Sequence, residues 1–177
     1  MSPVNTIRVF LYVTLWIVSV ILLGLAAYRI HYTTHLPRGD PLNGGRSFYD
    51  PIIAEVIFTT IVTILWVPFM VHILIERRDY GIATSFAGEV LSLCILFLFW
   101  IVGAGVSTNL WGDLSWCQEF LACRVLSTLV AFLWIGWVVI LTLLVLSLLF
   151  AVTNKAWNQP SHGAHQKINT NRWSFRA

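Results

Sequence analysis

Charge is the scarcest property of this sequence. Only 11 % of its 177 residues are Asp, Glu, Lys or Arg, against about 25 % in an ordinary soluble domain. From Leu126 to Ala151 there is no charged residue at all. This excludes a water-soluble globular protein. The net charge is only +3 and is split along the chain, so no concentrated basic surface is offered to nucleic acid. Three cysteines are too few for a small secreted scaffold held by disulfides. No internal repeat and no catalytic signature occurs. The expectation is therefore a non-enzymatic protein with no cofactor and no metal.

What is abundant is apolar: 58 % of the residues are hydrophobic. Leu126 to Ala151, built as a helix, is about 39 Å long, enough to cross a hydrocarbon core of about 30 Å. Each Leu, Ile, Val or Phe near its centre favours insertion by about 0.3–0.6 kcal/mol. Val9 to Tyr28 forms an earlier run of the same kind. A cleaved signal peptide is its competing reading, because Gly24 and Ala26 are small. The length of the run and the bulky Tyr12 and Trp16 favour a retained helix. Pro51 suits a first helical turn and Pro68 predicts a kink within the span that follows. Loops are marked by Pro37, Gly39, Pro41, Gly44 and Gly45, and by the charged turn at 76–81.

The sequence thus predicts an all-α membrane protein, an antiparallel four-transmembrane-helix bundle with both termini cytosolic. Its spans are placed at about 7–28, 52–75, 84–108 and 125–152, forming one domain over 1–152, with a basic tail at 153–177. The orientation rests on Arg8, Arg77, Arg78, Lys155, Lys167, Arg172 and Arg176 falling on one side. Arg29, Arg38, Arg46 and Arg124 fall on the other. Cys117 and Cys123 lie in the second outer loop, where an oxidising lumen favours a structural disulfide closing a small loop. A redox couple is the alternative. It needs a second thiol system, and only Cys94 is left, mid-span, where a thiol usually just packs.

Ionisable residues inside spans are functional suspects, and here they are Glu55, His72 and Glu89. His72 and Glu89 each lie about one turn from the charged turn, on adjacent antiparallel helices. They are expected to face each other as an intramembrane polar pair that fixes helix register. The alternative is a proton-linked transporter or channel-like protein using the same two side chains. Glu55 is expected to reach headgroups, and at about 26 Å from His72 along the axis it completes no relay.

Small residues at i and i+4 (Gly88 and Ser92, Gly103 and Ser107, Ser127 and Ala131, Ser147 and Ala151) allow close helix approach. Trp66, Trp100 and Trp134 read as lipid-facing or core aromatics. Arg8-x-Phe10-x-Tyr12-Val13 fits the loose sterol-contact pattern. Arg38-Gly39-Asp40 is the tripeptide that integrins read, although so short a match in a turn-rich loop carries little weight. The tail residues Lys155, Lys167, Arg172 and Arg176, with Trp157, Trp173 and Phe175 and no acid, suit either a solvated tail or one lying on anionic inner-leaflet lipid. Such contact is worth about 1 kcal/mol per basic residue. Phosphorylation at Ser161, Thr170 or Ser174 would weaken it.

Several stretches carry a family likeness. They are Phe99-Trp100-Ile101-Val102-Gly103-Ala104, Trp111-Gly112-Asp113-Leu114 with Cys117 and Cys123-Arg124, Ala131-Phe132-Leu133-Trp134-Ile135-Gly136-Trp137, and Phe150-Ala151-Val152-Thr153-Asn154. With an acid early in the third span, here Glu89, they resemble the MARVEL-type tetraspan proteins, particularly fungal members, over roughly Ile7 to Val152. The resemblance implies membrane apposition, vesicle trafficking and the organisation of sterol-rich domains, in the plasma membrane or secretory-pathway vesicles. Its expected partners are membrane lipids, including sterols and anionic inner-leaflet lipids, and other membrane proteins or further copies of the chain. Claudins differ in carrying their cysteine pair in the first outer loop, and tetraspanins in a large cysteine-rich second loop.

Overall fold

The computed structural model describes residues 3–35, 48–76, 86–112 and 119–153. The helices among them are α1 (Pro3–Thr34), α2 (Pro51–Glu76), α3 (Phe86–Trp111) and α4 (Leu121–Thr153). All four are long and apolar enough to cross a membrane, and they form the all-α four-helix bundle expected. α1 packs against α2 and α4, and α3 against α4 and α2, with the α2–α3 seam the sparsest of the four. The starts of α1 and α3 meet the end of α4, so consecutive helices run antiparallel. We call this the tail end of the bundle, and the opposite end the loop end.

α2 and α3 begin and end close to the expected positions. α1 departs from them, continuing past Tyr28 to Thr34 where a loop was expected from Arg29. The reason is electrostatic. Arg29 finds an acid, Asp50, within the structure, so the helix does not need to end there to release a charge into water. Asp50 also starts α2: its carbonyl accepts the Ile53 amide at 3.1 Å. Pro51 then occupies the first helical position, where a missing N–H costs nothing. α2 runs on through Pro68, which sits on an exposed face and deprives only the carbonyl four residues earlier of a donor.

The buried residues of each helix follow one rule. On α1 they include Arg8, Tyr12, Leu15, Ser19, Leu22, Ala26, Arg29 and Thr33, and on α3 Phe86, Glu89, Leu93, Leu96, Trp100, Gly103 and Ser107. On α4 the stripe is Leu126, Leu129, Leu133, Gly136, Ile140, Leu143 and Ser147. The steps alternate three and four residues, the spacing of left-handed knobs-into-holes packing. In lipid there is no hydrophobic drive to bring helices together, so small residues and hydrogen bonds at the seams carry the association. Of the small pairs, Gly103 with Ser107 and Ser147 with Ala151 are buried in seams, whereas Ala131 faces outward.

Trp100 is the clearest case of such packing. Its ring is fully buried and lies against Gly136 of α4, where a Cβ would fall 2.0 Å from the ring. On the other side its indole N–H donates to Thr63 Oγ1 of α2 at 3.2 Å. Thr63 in turn donates to the Thr59 carbonyl at 2.7 Å. One tryptophan therefore joins three helices at mid-depth. Trp66 is half-buried, and Trp134 is exposed with its N–H donating to Thr108 Oγ1 at 2.9 Å. Cys94 is free and exposed on α3, so it faces outward instead of packing in the core.

Gly136→Ala is expected to cost about 1–3 kcal/mol by overpacking against Trp100. Gly105→Ala, where nothing lies within 4 Å, is expected to be neutral or stabilising by up to about 1 kcal/mol through helix propensity. Thermal unfolding of the two purified variants in detergent checks both.

Candidate functional site

Glu89 sits in the first turn of α3, on its buried stripe. It is wholly enclosed, as is Arg8 one turn into α1. The Arg8 guanidinium donates to Glu89 Oε2 as a buried ion pair. Tyr12 Oη, one turn further along α1, donates to Oε1 at 2.6 Å, and Ser147 Oγ of α4 donates to the same oxygen at 3.1 Å. The guanidinium carbon also lies 5.4 Å over the Phe86 ring, which stacks on Phe150 at 5.0 Å. Tyr12 meets Trp66 of α2 edge-on at 5.6 Å. Both carboxylate oxygens thus have donors, from α1 and α4, and the charge is neutralised where it is excluded from water.

A second cluster closes the loop end. Arg29 Nε and Nη2 donate to Asp50 Oδ2 at 3.2 and 3.1 Å. Its guanidinium lies 5.7 Å from the Phe48 ring and 6.0 Å from the Trp111 ring. The Phe48 amide donates to the Thr33 carbonyl at 3.1 Å. The end of α1, the start of α2 and the end of α3 are joined there. Arg8 and Arg29 are 21 positions apart on α1, about 32 Å along the axis. That is close to the thickness of a hydrocarbon core, about 30 Å. The two ionic clusters therefore mark the two edges of the apolar slab.

The expected His72–Glu89 pair is not formed. His72 is exposed and its Nε2 lies 3.2 Å from Glu76 Oε2 on its own helix, while Glu89 turns inward to Arg8, Tyr12 and Ser147. Equal depth does not imply a shared face: the buried stripe of α2 passes through Met70, Ile73 and Leu74 and leaves His72 outside it. The sterol pattern is also divided. Arg8 and Tyr12 point into the core, and only Phe10 and Val13 are exposed. Cys123 opens α4, but Cys117 lies outside the described residues, and with it the expected disulfide. Arg38-Gly39-Asp40 and the tail residues Lys155, Lys167, Arg172 and Arg176 lie outside them as well. Among the described residues no group of three metal-ligating side chains occurs.

Arg8, Tyr12, Ser147, Arg29 and Asp50 are the site residues that sequence reasoning missed. The signal was present in the three-and-four spacing that runs from Arg8 through Tyr12 and Leu15 to Arg29. The fold defines a multi-pass integral membrane protein of four antiparallel helices. Comparison of the chain with protein-family models, curated sequences and solved structures found no match.

Removing one partner of the buried pair, as Arg8→Ala or Glu89→Ala, is expected to cost about 3–5 kcal/mol because the other charge is left enclosed. The joint replacement Arg8→Met with Glu89→Leu should recover most of that loss. Tyr12→Phe should cost about 1.5–3 kcal/mol, the range for a hydrogen bond to a charged acceptor. Denaturant unfolding of the purified proteins in one detergent measures all four.

Proposed function

We propose that this protein is a non-enzymatic organiser of membrane domains, of the MARVEL-type tetraspan kind that its sequence resembles. It acts in membrane apposition or vesicle trafficking through lateral contact with lipids and with other membrane proteins or copies of itself. Both termini lie in the cytosol in this reading, with Lys155, Lys167, Arg172 and Arg176 against anionic inner-leaflet lipid, and Cys117 bonded to Cys123 on the far side. Its membrane is the plasma membrane or that of secretory-pathway vesicles.

One observation carries the reading. The arginines of α1 and the acid of α3 are committed to one another and to Asp50 in tying helices together, and the outward faces are apolar. Phe10, Leu65, Leu91, Leu98 and Leu149 are each at least 60 % exposed. A bundle whose arginines on α1 are paired with acids inside it, and whose outward faces carry large apolar side chains, presents its surface to lipid and to other helices.

Stepwise photobleaching of a fluorescently tagged chain in its native membrane tests lateral association. Clusters bleaching in several steps and confined to patches are expected. Single-step spots diffusing at random over the whole membrane would contradict the proposal.

A further inference from the structure

One carboxyl within the spans stands apart from both ionic clusters. Glu55, one turn into α2, accepts a hydrogen bond on Oε1 from Thr59 Oγ1 at 2.8 Å. Its other oxygen, Oε2, is buried and meets no donor among the described residues. That oxygen lies over the bare backbone of Gly103 on α3. A Cβ there would fall 2.8 Å from Oε2 and 3.6 Å from Leu133 Cδ2. The oxygen thus rests against the Gly103 backbone, and Leu133 of α4 packs beside the same glycine. One turn further along the α3 stripe toward the loop end, Ser107 is fully buried and its hydroxyl too has no partner among the described residues. Glu55 and Gly103 meet across the α2–α3 seam, the sparsest of the four main helix seams.

No cation relieves Glu55 among the described residues. On α1, Arg29 is held by Asp50 and Arg8 by Glu89, while His31 and His35 are exposed and stacked on each other beyond Arg29. On α2 the next ionisable groups are His72 and Glu76, about 26 Å or more away along the axis. On α3 the sole charged residue is Glu89, some 21 Å from Gly103 toward the tail end. On α4, Arg124 is exposed near the helix start. An ionised carboxylate with one oxygen enclosed by apolar groups is costly to maintain. A metal ion would need several further oxygen ligands, and the position provides Glu55 and the Thr59 hydroxyl. A proton needs only the orphan oxygen, and turns it into a neutral hydroxyl donor.

We propose that Glu55 is a reversible proton-binding site, filled from the aqueous phase at the loop end of the bundle. Glu55 lies four positions from Pro51, about 6 Å along the axis, and its side chain is only half-buried, so water at that face reaches it without crossing the bundle. The step is simple: a proton from that phase bonds to the carboxylate, the group becomes a neutral acid, and no electrons are transferred. The neutral acid stays against Gly103. Once ionised, it is drawn toward the headgroups and leaves the seam, so occupancy sets how closely α2 and α3 pack there. The site does not depend on the proposed organising role.

The test uses the full chain in phosphatidylcholine vesicles and an apolar carbodiimide, which reacts from the lipid phase with protonated carboxyls. Mass spectrometry of the peptides should place the adduct on Glu55 at acidic pH. Labelling should fall about tenfold per pH unit above its midpoint. Glu55→Gln, which copies the neutral acid in shape, should fold and lose the adduct. Infrared difference spectra between acidic and alkaline pH should show a protonated-carboxyl band that this variant lacks. Absence of the adduct at acidic pH, labelling that does not change with pH, or loss of labelling on adding sodium or potassium at constant pH would each overturn the proposal.

Discussion

A charge enclosed in a membrane bundle must find its counter-charge inside the bundle, and the Arg8–Glu89 pair is how this chain meets that requirement. Hydrocarbon offers neither water for the charge nor a hydrophobic drive to hold helices together. The ion pair addresses both. It neutralises two groups that would otherwise oppose insertion, and its geometry recruits Tyr12 from α1 and Ser147 from α4 around one carboxylate of α3. Phe86 and Phe150 shield it on one side. Breaking it would leave a bare charge in the slab, so the arrangement fixes which helices neighbour one another and in what register.

The same logic works at the other end with different parts. Arg29 pairs with Asp50 and approaches the Phe48 and Trp111 rings, where an aromatic belt would sit in any case. Between the two clusters the bundle relies on fit. Trp100 occupies the space that Gly136 leaves and donates its N–H to Thr63. Thr59 and Thr63 satisfy their hydroxyls on their own helix or on Glu55. The interior thus changes from ionic at the edges to tightly packed at mid-depth, which follows the cost of placing charge deeper in hydrocarbon. Glu55 is the exception, a carboxyl near one edge with no cation beside it among the described residues.

The architecture was legible because its signal is composition: four runs long enough to span, separated by charge and turn residues. The end of α2 was legible from the charged residues that begin at Glu76. The end of α1 was not legible at Arg29, because hydropathy alone cannot tell an arginine bound for water from one that meets Asp50. The polar site was harder to read. His72 and Glu89 share a depth, but depth leaves the azimuth around each helix open. In a lipid-facing bundle both faces are apolar, so hydrophobic contrast does not reveal the inner one. What does reveal it is the alternation of three and four residues linking Arg8, Tyr12, Leu15, Ser19, Leu22, Ala26 and Arg29, which places both arginines on the inner stripe. Gly136 was similarly unreadable, since its role depends on Trp100 from another helix.

The most direct test is a solid-state NMR distance measurement in lipid bilayers between the labelled Arg8 guanidinium nitrogens and the Glu89 carboxyl carbon. The account predicts a strong dipolar coupling, consistent with direct hydrogen-bond contact, that persists in membranes of different lipid composition. Absence of a coupling in folded protein, or a Glu89 carboxyl coupled to the His72 ring instead, would contradict it.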